Sequence, residues 1–325
     1  MKVGDLDRLV FIVGAPRCGT TTLAQFLKEH PAVSFPIIKE PHYFAQNDLR
    51  GLSDRELRDR VESEYLGRFF RNDASLRIGA DASVTYLYTP EQLEPVLRLW
   101  PDSRFVVALR NPLSMLPSLH SRLVYVGVES VGKFEEAWAA ARGRLARRRA
   151  LSGLVDPLWL RYDEAARFAT YLERLFSVVG RERCLVMILD DMVANPSEQY
   201  RQFMEFIDLE PVRTEGFQVH RAGRGVRSLW LQRMLKRPNI LLRQSVAKGK
   251  FRAPPINLLT GNGNAALNMI LAVRRQMLRL NRTQLRAEPI SASIQAEICS
   301  HFEPEVERLT NLIGRDLTHW LRVRA

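Results

Sequence analysis

The sequence predicts an α/β protein: a parallel β-sheet of about five strands, opened by a phosphate-binding loop and flanked by helices, with a helical C-terminal region. Three observations predict it. Residues 9–13 (LVFIV) form a short continuous apolar run that leads into a glycine-bearing loop and then into helical spacing. Residues 104–109 (RFVVAL) and 184–189 (CLVMIL) have the unbroken hydrophobicity of strands buried on both faces. Helical segments stand between these runs, an alternation that builds a parallel sheet with helices on its faces.

Taken in order, the first strand covers 9–13 and the first helix 21–30. Residues 33–35 and 76–82 are two further strands, and helices fall near 54–70, 90–100 and 112–125. The last clear strand, 184–189, is followed by a helix over 196–207. Past Val212 the chain turns basic and strand-poor. Arg221, Arg224 and Arg227 surround two glycines, helical spacing runs over 228–243, and 257–264 reads as a loop. An amphipathic helix over about 291–313 is closed by Gly314. No repeat or low-complexity linker divides the chain. A single domain over 1–325 is expected, with a core at 8–212 and a basic, helical region at 213–325.

At 325 residues and 46% hydrophobic, the chain can fill a sizeable core. Its formal net charge of +12 calls for an anionic partner without saying which one. Three widely separated cysteines, Cys18, Cys184 and Cys299, argue against a disulfide framework and against Cys-x-x-Cys metal sites. Where cations and backbone donors serve the bound anion, no metal is expected. The first residues run straight into an apolar strand without the apolar core of a secretory signal, and no apolar run approaches the ~18 residues of a membrane span. A cytoplasmic location is the expectation.

The chemistry begins at Gly14-Ala-Pro-Arg-Cys-Gly-Thr-Thr-Thr22. Between a buried strand and a helix, such a loop turns backbone N–H groups and the positive helix end toward an anion. A nucleoside triphosphate loop needs Lys and then Ser or Thr after its second glycine, for the β/γ-phosphates and Mg²⁺. Here Thr20 stands where that lysine would be, and the cation lies inside the loop, at Arg17. An ordinary kinase reading is weakened. Cys18 is explained as a small loop residue.

The run Val-Gly-Ala-Pro-Arg-Cys-Gly-Thr-Thr-Thr-Leu resembles the 5′-phosphosulfate loop of sulfotransferases that use 3′-phosphoadenosine 5′-phosphosulfate, usually Pro-Lys-(Ser/Cys)-Gly-Thr-Thr. Arg17 holds the lysine position, keeping the charge but replacing a compact ammonium with a planar fork. The resemblance implies that Arg17, Cys18, Gly19, Thr20, Thr21 and Thr22 bind the donor, with Arg17 also acting on the transferring group. It extends to Arg110-Asn-Pro-Leu-Ser-Met-Leu-Pro-Ser118, where the family's Arg and Ser hold the 3′-phosphate; this implies that role for Arg110 and Ser118. Arg221 and Arg224 match, more loosely, the basic loop that closes over the same phosphate in relatives.

Lys39-Glu-Pro-His-Tyr-Phe44 resembles the Lys-Glu-x-His-Phe-Phe segment of heparan-type and many bacterial sulfotransferases, which implies Glu40 as general base with His42 beside it. The chemistry is reasonable, since an acceptor hydroxyl attacks only as its proton is taken. Two departures bear on the base. Residues 79–86 (GADASVTY) carry Ala82 where heparan-type relatives often have a second lysine, and Val84 in place of proline. The histidine that small-molecule sulfotransferases place in this region is absent, so the base is expected at Glu40 or His42 and not here. His120 is a weaker candidate, better explained as a helix-face residue.

Two other functions compete with sulfonate transfer to a hydroxyl or amine. A nucleotide-dependent kinase is favoured by the phosphate loop and opposed by Thr20 and the Arg110/Ser118 pair. A non-catalytic nucleic-acid binder is suggested only by charge and by the run 142–149 (RGRLARRR), which no aromatic-interleaved motif accompanies; no nucleic-acid partner is expected. The acceptor class, a small molecule or a glycan, anionic or lipid-linked, is not written in the sequence. For the basic amphipathic stretch 228–252, a flap packed on the core and a peripheral membrane contact both stay open.

Overall fold

The computed structural model describes residues 1–71, 75–141, 157–212, 224–236, 265–284 and 289–323. In chain order, strand β1 (Arg8–Gly14) leads through the glycine-bearing loop to helix α1 (Thr20–Glu29). Strand β2 (Val33–Ser34) is followed by the short helix α2 (Tyr43–Gln46) and by α3 (Asp54–Val61), which continues through a wide π-type turn into α4 (Gly67–Phe69). Strand β3 (Ile78–Asp81), helix α5 (Glu94–Leu99), strand β4 (Arg104–Leu109) and helix α6 (Pro112–Val126) come next. Then follow α7 (Phe134–Ala139), α8 (Tyr162–Ala165), α9 (Phe168–Val179), β5 (Cys184–Ile188), α10 (Leu189–Ala194) and α11 (Pro196–Phe206).

The five strands form one all-parallel sheet in the order β2-β3-β1-β4-β5. Parallel strands need crossover connections, and the helices between them supply these. The expected strands at 104–109 and 184–189 appear within a residue of their predicted ends. The apolar runs are buried throughout: Leu9 to Val13 and Phe105 to Leu109 are fully enclosed. Phe11 sits at the centre of this core. Its ring stacks on Phe105 at 5.4 Å and meets Tyr86 and Phe44 edge-on at 5.6 and 6.1 Å.

The topology fixes where a ligand would lie. From β1 the chain moves outward through β2 and β3 on one side, then crosses to β4 and β5 on the other. The crossovers diverge at the carboxyl ends of β1 and β4, the place where open α/β sheets receive their ligands.

Two compact units interleave along the chain. One comprises Met1–Met115, Arg167–His220 and Phe302–Arg322, and it contains the whole sheet. The other comprises Leu116–Ala166, Arg221–His301 and Val323–Ala325. Within this second unit, Arg224–Val226 pairs antiparallel with Arg282–Gln284, a ribbon in the region that the sequence reading took as strand-poor. The buried Gln232, on helix Leu229–Lys236, donates to the Tyr125 carbonyl and accepts from Asn281, which ties that helix to the ribbon. Helix Ala265–Leu280 was not foreseen, whereas helix Ala292–Ile313 was, with Gly314 left-handed (φ 69°) at its end. The basic run 142–149, Arg221, the stretch 237–252 and the loop 257–264 lie outside the described residues. No helix among the described residues is long and apolar enough to cross a membrane.

Because Phe11 joins β1, β4 and the residues after β3 through three aromatic contacts, its truncation should be costly. Phe11→Ala is expected to lower the unfolding free energy by ~3–5 kcal/mol, the range for large aromatic cavities. Urea denaturation would show a shift below ~1 kcal/mol if the ring were peripheral.

Candidate active site

The loop after β1 is built from two left-handed residues. Gly19 (φ 92°) is the N-cap of α1, and its left-handed backbone favours glycine; a Cβ there would also press on Leu189 Cδ1 at 2.9 Å. Arg17 (φ 68°) is left-handed without being glycine, a conformation that costs roughly 1–2 kcal/mol. Gly19 has no side chain to cap α1, so the first-turn amides and the positive end of the helix dipole face the loop. Thr20 is buried, and Thr21 and Thr22 are half-buried on that first turn.

Arg110 follows β4 directly, and its Nη1 donates to the backbone carbonyl of Arg17 at 3.4 Å. Two motifs 93 residues apart therefore meet at the switch point of the sheet, Arg17 after β1 and Arg110 after β4. Asn111 caps α6, its Oδ1 accepting from the Leu113 amide at 2.9 Å, and so fixes how the helix leaves Arg110. Ser118 stands on that helix eight residues after Arg110, half-buried. Cys18 lies fully buried beneath the loop. Burial pushes its thiol up to about 12, against the pull of the Arg110 and Arg17 charges, so a nucleophilic thiolate is not available there.

Glu40 lies on the segment between β2 and α2, its side chain about one-third exposed. Lys39 Nζ is 2.6 Å from its Oε1, and His42 Nε2 is 3.6 Å from its Oε2. Burial acts to raise this carboxyl, yet the His42 ring and the Lys39 ammonium outweigh it and pull the group down to about 2. It is thus an ionised acceptor at neutral pH, gripped between two cations or donors. His42 is left-handed (φ 54°), so two of the three non-glycine residues with positive φ among the described residues are Arg17 and His42; Asp208 is the third. Such strain is retained where the surroundings over-determine it, often at functional sites.

The sequence reading passed over what holds His42. Its backbone N–H donates to Ser83 Oγ at 2.9 Å, and its Nδ1 is 2.9 Å from Thr85 Oγ1. Ser83 in turn bonds to Asp81, a fully buried carboxylate that also receives Tyr65 OH and Tyr86 OH, each at 3.0 Å. Ser83 and Thr85 follow the buried strand β3 at a turn, where small hydroxyl residues carry no signal of their own. His120 belongs elsewhere. It is buried in the second unit, bonded to the Val131 carbonyl at 2.9 Å and packed edge-on against Phe134 and Tyr162. Arg221 lies outside the described residues, and Arg224 is placed by its backbone on the two-stranded ribbon. Among the described residues, no cluster of three or more His, Cys, Asp or Glu could hold a metal ion.

The profile of the "Sulfotransferase family" matches residues 10–213, from β1 past α11 and over every strand of the sheet. The chain belongs to this family. Nodulation protein NoeE of Sinorhizobium fredii is 31% identical over 137 residues, 37% of this chain and 32% of that protein. Heparan sulfate glucosamine 3-O-sulfotransferase 6 of Mus musculus is 27% identical over 255 residues, 75% of this chain and 63% of the mouse protein. The chain thus spans between about a third and two thirds of these relatives' length. A crystal structure of a sulfotransferase from Alicyclobacillus acidocaldarius superposes with a TM-score of 0.63 at 22% identity, covering 96% of this chain and 98% of that one; it shares the fold.

The buried Asp81 gives a stability test. Burial raises its carboxyl from 3.8 to about 6, while hydrogen bonds from Ser83, Tyr86 and Tyr65 hold it back. Between those values the folded protein binds the proton more tightly than the unfolded chain. Asp81 therefore contributes stability below about pH 4 that is lost as pH rises through about 6. Asp81→Asn should remove this slope, so the variant should gain on the parent protein between pH 4 and 6 and level off above. Urea melts across that window check it; a constant difference would refute the assignment.

Proposed function

We propose that this sulfotransferase moves the sulfonate of 3′-phosphoadenosine 5′-phosphosulfate to a hydroxyl of a carbohydrate acceptor. The observation that carries the reading is the Arg110–Arg17 contact. The Arg110 guanidinium reaches the backbone of the loop that carries Arg17, beside an uncapped helix end, an arrangement suited to a ligand with phosphates at both ends of one nucleoside. The carbohydrate class is supported by relatives named as heparan sulfate glucosamine and carbohydrate sulfotransferases. A net charge of +12 suits an anionic glycan.

In this reading the acceptor oxygen attacks sulfur as the bond from sulfur to the 5′-phosphate oxygen breaks. The acceptor proton passes to Glu40, and the electron pair leaves with the nucleotide phosphate. Arg17 and the amides of α1 stabilise that growing charge, as preorganised donors do. A carboxylate held at about 2 is a weak base. The donor's own negative charge and the expulsion of water both act to raise it, so Glu40 gains basicity when the site is filled. Arg110 and Ser118 hold the 3′-phosphate. Transfer to the amine of an amino sugar would use the same groups. A kinase reading has no comparable support, because Thr20 occupies the lysine position that a triphosphate needs.

Calorimetry tests the donor. 3′-Phosphoadenosine 5′-phosphate should bind at least tenfold more tightly than AMP, and Arg110→Ala should erase most of that difference, at ~1.5–3 kcal/mol for a hydrogen bond to a charged group. Equal affinity for the two nucleotides would remove the basis for the proposal.

A panel with radiolabelled donor tests the chemistry. Label should enter heparan sulfate or another glycan rather than phenols or sterols. Glu40→Gln should abolish transfer while leaving nucleotide affinity within about threefold, and Arg17→Ala should cost ~2–4 kcal/mol in turnover. Normal turnover by Glu40→Gln would move the base to another residue.

A further inference from the structure

Glu40 belongs to no helix or strand, and a proton acceptor must stand within a fraction of an ångström of its working place. Its position depends on His42, two residues on. His42 is held at both ends, its backbone by Ser83 and its ring by Thr85.

The direction of the Ser83 bond is set by Asp81. Both tyrosine hydroxyls occupy Asp81 Oδ2, while Oδ1 accepts the Ser83 hydroxyl at 2.5 Å and the Ser83 amide at 3.0 Å. A serine hydroxyl has one proton. With that proton committed to Asp81, the lone pairs of Ser83 Oγ turn toward the His42 N–H. This bond stabilises a left-handed residue that would otherwise relax.

Thr85 acts on the ring. A hydroxyl can donate to a bare Nδ1 or accept from a protonated one, so Thr85 keeps the ring in place whether or not His42 carries a second proton. With Nδ1 so fixed, Nε2 faces Glu40 Oε2.

We propose that Ser83 and Thr85 are positioning residues for sulfonate transfer, fixing the His42 backbone and ring so that the ring in turn orients the Glu40 carboxylate. The proposal rests on the reading of Glu40 as base. The hydroxyls are not needed to anchor the segment itself. Tyr43 and Phe44, immediately downstream, are already buried among Tyr65, Phe11 and Tyr86. Losing a hydroxyl should therefore loosen the carboxylate without unfolding the chain.

The test compares Thr85→Val, which keeps the shape and removes the hydroxyl, with Thr85→Ser, which keeps the hydroxyl. Ser83→Ala probes the backbone half. With 3′-phosphoadenosine 5′-phosphosulfate and heparan sulfate, Thr85→Val and Ser83→Ala should lower kcat by roughly 10- to 100-fold. Nucleotide affinity should stay within about threefold, and Thr85→Ser should recover most of the rate. In protein labelled with ¹⁵N-histidine, and with the His42 signals assigned by His42→Gln, Thr85→Val should shift the His42 ring nitrogens and Thr85→Ser should restore them. Unchanged ring signals in Thr85→Val overturn the proposal, as does a Thr85→Val rate equal to the parent's. The nuclear magnetic resonance readout needs no acceptor. Failure of Glu40 as base would instead appear as normal turnover by Glu40→Gln, with the ring shifts still present.

Discussion

The pairing of β1 with β4 is the constraint on which the rest depends. These strands lie side by side although some 90 residues separate them, because the chain first fills the β3–β2 side of the sheet and only then crosses back. Adjacency brings the loop after β1 against the residue after β4, and Arg110 reaches the Arg17 carbonyl across that junction. Had the strand order placed β3 between them, the two loops would stand nearly 5 Å further apart. The apolar filling of β1 and β4, with Phe11 stacked on Phe105, makes that register rigid. A site assembled from two loops inherits its precision from the strands beneath.

That junction gathers positive charge. Arg17 and Arg110 both act on the Cys18 thiol, and burial still prevails there, so the cysteine stays a neutral packing residue. The helix end adds partial charge of the same sign. Donors and positive charge fixed in place before an anion arrives are the electrostatic preorganisation that group transfer uses. The left-handed backbone at Arg17 belongs to the same arrangement, since the loop must curl around a ligand rather than relax away from it.

The sheet and the loop were legible in the sequence for a physical reason. Strands buried on both faces cannot tolerate polar residues, so β1, β4 and β5 stand out as unbroken apolar runs, and a glycine such as Gly19 is favoured by its left-handed backbone. Arg110 was legible through its place at the end of such a strand. Ser83 and Thr85 were not, because small hydroxyl residues after a strand have ordinary explanations as turn formers, and only the fold brings them to His42, some 41 and 43 residues earlier. The sequence reading looked in this stretch for a lysine or histidine and set it aside when Ala82 and Val84 stood there. Helix Phe168–Val179 was missed as well. Its sequence FATYLERLFSVV nevertheless keeps the helical spacing, with Phe168, Tyr171, Leu172, Leu175 and Val179 buried on one face.

Two carboxylates a few residues from one another in space are driven in opposite directions. Asp81 is sealed among hydroxyls and aromatic rings, where burial raises it to about 6, while Glu40 sits one-third exposed beside Lys39 and His42, which draw it down to about 2. Environments that separate two acids in this way also separate their tasks. Asp81 is screened from solvent, and its hydrogen bonds converge inward and orient Ser83. Glu40 keeps solvent access and full charge, the state in which a carboxylate can receive a proton from an arriving hydroxyl. The chain linking them, Asp81 to Ser83 to His42 to Glu40, runs from the rigid end of β3 to the irregular segment before α2. Through it a residue outside every helix and strand acquires the fixed geometry of the sheet.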